Sequence, residues 1–88
     1  MQKEYVFSGN FSGELYRSKS LIDMYKTSKD IKEFDRKHYI QDTYYYEIEF
    51  ENGDKNEQGQ TIVYTQEVKI YKRGNKIYCK SIYRRDKK

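Results

Sequence analysis

Gly74-Asn75 constrains the fold of this chain more than any other feature, because an alternating run lies on each side of it. A two-residue bend of this kind joins antiparallel strands. With Gly74 and Asn75 at the bend, Arg73 faces Lys76, Tyr71 faces Tyr78 and Ile70 faces Cys79. Directly opposite residues share a face of the sheet. One face then collects Val68, Ile70, Ile77, Cys79 and Tyr83, and the other Lys69, Tyr71, Arg73, Lys76, Tyr78, Lys80, Ile82 and Arg84. The first set suits a core and the second suits water. The turn and the hydrophobic pattern demand the same register.

The rest of the chain reads around this hairpin. Tyr44, Tyr46, Ile48 and Phe50 alternate with Tyr45, Glu47, Glu49 and Glu51, the period-two pattern of a strand wet on one side. Asn52-Gly53 ends that strand, and a polar, flexible loop to Gln60 leads into a longer one from Thr61 to Lys72. Lys76 to Arg84 returns. Near the start, Tyr5-Val6-Phe7 reads as a short strand, and Ser8 to Gly13 is turn-rich enough for a hairpin or bulge. Ser18 to Ile40 is the helical stretch. Ser20 and Asp23 have capping spacing, Leu21 and Tyr25 share a face, and Ile31, Phe34 and His38 form an expected inward stripe. Thr27-Ser28 offers a second start, so one helix or two short ones fit. The expected fold is α+β: an antiparallel sheet of about four strands (strand, helical segment, three-strand meander) with one or two helices on one face.

At 88 residues the chain has the length of one domain, 1–88, held by one modest core. That core draws on eleven Tyr, four Phe and eight Ile, with two Leu and no Ala, Pro or Trp. Each buried phenol wants a hydrogen-bond partner. The Lys, Ile, Tyr and Asn bias beside missing Ala and Pro points to AT-rich coding, as in low-GC bacteria, their phages and plasmids. Cys79 is the only cysteine, which favours a reducing compartment. No run reaches the ~20 apolar residues of a membrane span. The expected location is the cytoplasm, with a processed extracellular domain left open.

Val68 to Ile82 resembles the last hairpin of cystatin-like or NTF2-like domains, a likeness of about fifteen residues that implies architecture and no function. The order strand, helical segment, sheet also resembles ribosome-dependent ribonuclease toxins, which cut RNA with Arg, Lys and Tyr. That resemblance implies Arg73, Tyr78, Tyr83 and Arg84 as the residues concerned.

Charge is polarised. Residues 1–60 carry nine basic and twelve acidic side chains, and residues 61–88 carry nine basic and two acidic. The basic end coincides with the hairpin, so Lys69, Tyr71, Arg73, Lys76, Tyr78, Lys80 and Arg84 are the candidate binding residues: cations for phosphates or carboxylates, rings for stacking. Glu47 and Glu49 are placed to sit beside Lys69 and cancel part of its field. Glu47, Glu49 and Glu51 form a carboxylate row with ~7 Å steps. An open strand face does not drive carboxylate pKa values apart, so neighbouring cations are their expected partners. One His and one Cys cannot furnish a four-ligand zinc site. Cys79 points inward as a small hydrophobe, and Gly9 with Gly13 lacks the Gly-Lys-Ser/Thr ending of a P-loop. No catalytic set, metal or cofactor is expected.

Two readings from different classes stand beside the toxin. The first is a non-catalytic binding protein of phage or mobile-element origin that blocks a host protein or nucleoprotein, the class that includes anti-defence inhibitors. The second is direct nucleic-acid binding through the hairpin. No membrane partner is expected, and oligomeric state is not legible.

Overall fold

The computed structural model describes residues 3–82. Among these residues one helix packs on a five-stranded antiparallel sheet, an α+β arrangement. The elements are β1 (Lys3–Gly9), β2 (Gly13–Ser18), α1 (Leu21–Lys37), β3 (Tyr44–Phe50), β4 (Tyr64–Arg73) and β5 (Lys76–Ser81), with sheet order β2-β1-β3-β4-β5. Five strands replace the expected four because Gly13–Ser18, short and without clean alternation, pairs back on β1. The first strand runs through the interior of the sheet, flanked by β2 and β3.

Local chemistry accounts for the turns. Gly74 takes φ +62° while Asn75 stays at negative φ, the pattern of a type II′ bend whose twist suits the flanking strands. The register across it is the expected one, with Arg73 opposite Lys76, Tyr71 opposite Tyr78 and Ile70 opposite Cys79. Between β1 and β2, the chain turns through Asn10-Phe11-Ser12 and closes on Gly13 at φ +76°. The pairing slips by one residue between Phe7 and Ser8, so Leu15 is the bulged residue of β2.

The helix is continuous. The Ser20 hydroxyl accepts the Asp23 amide at 3.1 Å and caps it, and nothing interrupts it at Thr27-Ser28. It ends in a Schellman arrangement: the Ile40 amide reaches the Asp35 carbonyl at 2.9 Å and the Tyr39 amide the Arg36 carbonyl at 3.3 Å. Tyr39 occupies the left-handed position at φ +59°, where glycine is usual.

The core lies between α1 and the inner face of the sheet. Tyr5, Phe7, Met24, Val68 and Ile70 form its buried centre, and Leu21, Tyr25, Ile31, Tyr44, Tyr46, Ile48, Ile77 and Cys79 are among those packed around it. Three inner-face tyrosines solve the phenol problem in one way, by reaching the helix. Tyr16 donates to Asp23 at 2.6 Å, Tyr46 pairs with the Ser28 hydroxyl at 2.7 Å, and Tyr44 donates to the Asp35 carboxylate. The helix therefore buries Met24, Ser28 and Asp35. The expected inward stripe is corrected here: Ile31 is half-buried, but Phe34 is 57% exposed, and His38, stacked on it at 4.1 Å between ring centroids, is exposed too. Asp35 takes the inward place because Tyr44 gives its carboxylate a partner there.

The segment between β3 and β4 makes hydrogen bonds of its own. Lys55 bridges Thr61, and the Asn56 carboxamide oxygen accepts the amides of Gln58 and Gln60 at 2.8 and 2.9 Å. No helix among the described residues is long and apolar enough to cross a membrane.

Candidate binding face

The outer face of the sheet, opposite α1, carries the side chains that alternate with the core set. On β4 and β5 these are Lys69, Tyr71 and Arg73 beside Lys80, Tyr78 and Lys76, in three directly opposed pairs. The structure brings six of the seven candidate residues onto one face; Arg84, like Tyr83, lies outside the described residues. Tyr71 is half-buried and Tyr78 is 39% exposed. Their rings stack with centroids 5.6 Å apart and planes 26° apart. The Lys69 ammonium lies over the Tyr71 ring, 5.6 Å from its centroid. With Tyr78 against it and Lys69 over it, Tyr71 has little face left for a third flat group. An open depression of about 530 Å³ is lined by Lys69, Tyr71, Lys72, Arg73, Lys80, Ser81 and Ile82.

Electrostatics divide this face in two. Lys69 opposes Lys80 and Arg73 opposes Lys76, like charges across a strand pair, an arrangement that weakens a sheet. Among the described residues, the ion pairs involve Arg17, Arg36 and Lys37, and none involves these four cations. On the β1–β3 side the sign changes. Glu4 opposes Glu49, and Glu47 opposes Glu67.

Arg17 of β2 holds the far end of the acidic region together. Its guanidinium meets Glu4 at 2.8 Å, Glu14 at 2.8 Å and Glu49 at 2.6 Å. These bonds, with Glu14 and Glu49 foremost, raise the pKa of Arg17 further, and the Arg17 contact lowers that of Glu14. Glu49 is therefore committed to Arg17 and not to Lys69, so of the two carboxylates expected beside Lys69 only Glu47 stays on its side of the face. The sequence reading missed Arg17 because it left Gly13–Ser18 without a strand. The one available signal was the alternation of Glu14, Tyr16 and Ser18 with Leu15 and Arg17, which the bulge breaks.

Asp42 organises a second region. It accepts the amides of Phe11 and Ser12 at 3.0 Å each, the Ser12 hydroxyl at 2.7 Å and the Thr43 amide at 2.8 Å. Desolvation opposes its charge, but the Ser12 hydroxyl and the three amides outweigh that and hold its pKa down at about 2. The bonds tie the β1–β2 turn to the α1–β3 connection, with Phe11 89% exposed on one and Tyr39 92% exposed on the other.

The remaining chemistry is sparse. Cys79 is half-buried and its thiol is pushed up by burial, the state of an unreactive thiol. Among the described residues no group of His, Cys, Asp and Glu is placed to hold a metal ion. Comparison with known protein families, curated proteins and solved structures finds no match to the chain.

Proposed function

We propose that this chain is a small non-catalytic binding protein, of phage or mobile-element origin, that docks the outer face of the β4–β5 hairpin on an acidic surface of a host protein or nucleoprotein and blocks it. One observation carries the reading. Two directly opposed cation pairs flank a stacked tyrosine pair, and none of the four cations has an ion-pair partner among the described residues. Opposed like charges cost sheet stability. A bound anionic surface relieves both pairs at once, so the repulsion becomes a driving force for docking. Tyr and Arg are the residues in which interface energy concentrates. With Tyr78 and Lys69 already against Tyr71, the more exposed Tyr78 is the ring chiefly open to a ligand, which supports a single apolar contact over a run of stacked bases.

The test is a pull-down from low-GC bacterial lysate, with and without nuclease. It compares the native chain with a variant in which Lys69, Tyr71, Tyr78 and Lys80 are all alanine. A partner retained after nuclease and lost in the variant, while the variant still melts cooperatively, is the expected result. A partner lost on nuclease treatment reassigns the face to nucleic acid. Binding that survives the four substitutions removes the face altogether.

A further inference from the structure

The hairpin cations form two groups with the tyrosines between them. Lys69 and Lys80 make one pair, Arg73 and Lys76 the other, four residues apart along each strand. At the ordinary strand rise the two pairs are about 13 Å apart. Beyond Arg73 and Lys76 the strip stops at the turn. Beyond Lys69 the next carboxylate on the outward face of the neighbouring strand is Glu47 of β3, one residue pair past Lys69. A ligand lying along the hairpin meets positive charge, paired rings, positive charge, and then carboxylate.

This sequence of charges discriminates between anions. An extended peptide places side chains i, i+2 and i+4 on one side, which spans about 13 Å. Carboxylates at i and i+4 then match the two cation pairs, and an apolar side chain at i+2 meets the tyrosines. A nucleic-acid strand carries charge at every nucleotide, so one that runs past Lys69 brings phosphates towards Glu47. We propose that the ligand of this face is an extended acidic protein segment with carboxylates four residues apart around an apolar residue. Glu47 is the specificity-determining residue that keeps nucleic acid off. The proposal rests on the docking role given to the hairpin above.

The experiment uses the full chain, tyrosine-ring NMR and three probes at low salt. The probes are capped Glu-Thr-Val-Thr-Glu, its isomer Thr-Glu-Val-Glu-Thr, and a thymidine oligonucleotide about twelve nucleotides long. The first peptide is expected to shift the Tyr71 and Tyr78 resonances and to bind about tenfold more tightly than its isomer. The oligonucleotide is expected to bind more weakly than the first peptide, and to gain about tenfold in Glu47→Gln, whose melting checks the fold. Equal binding of the two peptides, both lost in Lys69→Glu/Lys80→Glu, overturns the spacing and leaves the docking face standing. Peptide binding that survives Lys69→Glu/Lys80→Glu overturns both. No ring shift with either peptide at about 1 mM overturns the proposal, as does oligonucleotide affinity unchanged by Glu47→Gln.

Discussion

Lys69 of β4 stands directly opposite Lys80 of β5, two cations side by side on one face of a hairpin. The pair weakens the hairpin in isolation, so the sign of its effect on folding is opposite to its proposed effect on binding. Lys80→Glu converts the pair into an attractive one and is expected to raise stability by about 0.2–1 kcal/mol. It is also expected to abolish capture of an acidic partner. Urea denaturation and the pull-down read the two effects separately, and a variant that is less stable than the native chain refutes the like-charge account.

Ser28 is wholly buried under the sheet, where its hydroxyl pairs with Tyr46. Ser28→Ala leaves that phenol short of a partner and is expected to cost about 1–3 kcal/mol. Met24→Ala, at the fully buried centre of the same helix face, is expected to cost about 2–5 kcal/mol through the cavity it opens. Chemical denaturation with an unchanged m-value checks both.

The Tyr44 phenol is pushed up to about 12, first by its bond to the Asp35 carboxylate and then by burial. A tyrosine raised in the fold contributes stability that is fully present below its unfolded pKa near 10 and lost as pH rises through about 12. Tyr44→Phe is expected to melt lower at pH 7 and to lose less on going from pH 9 to 12 than the native chain. Parallel melting curves across that range count against the Asp35 bond.

Asp42 behaves in the opposite sense. Its pKa of about 2 lies below that of an unfolded aspartate, near 3.9, so its contribution is present above that value and lost as pH falls towards 2. Acidification is expected to release the Phe11 and Ser12 amides first, seen as a loss of their protection against hydrogen exchange relative to the intrinsic rate at each pH. Gly9 supports the same contact, since a Cβ there meets Asp42 Cγ at 2.8 Å. Gly9→Ala is expected to destabilise by about 1–3 kcal/mol through overpacking.

Tyr39 takes a left-handed conformation with its ring in water. Tyr39→Gly removes the Cβ clash without removing a packed contact, and is expected to stabilise by about 1 kcal/mol, or raise Tm by about 4–8 °C. Thermal melting decides it; a lower Tm means that the ring packs on something.

The hairpin was legible because its evidence is local. A Gly-Asn bend admits few registers, and only one of them puts Val68, Ile70, Ile77 and Cys79 together. The alternation of β3 and the Ser20 cap were legible for the same reason: each needs only residues within one turn or one strand. Arg17 was missed because a one-residue bulge breaks the period on which strand recognition depends. Apolarity by itself turns Phe34 inward, whereas Tyr44, which makes that place hospitable to the Asp35 carboxylate, arrives from another element.

By itself, then, the amino-acid sequence determined the α+β class, the register of the last hairpin and the side on which its cations and tyrosines stand, since turn chemistry and period-two alternation act over a few residues. Only the tertiary structure decided that β1 lies inside the sheet, that Arg17 gathers Glu4, Glu14 and Glu49, and that the helix turns Asp35 inward. Those outcomes depend on partners as far apart in the chain as Lys3 and Phe50, whose meeting no local pattern encodes.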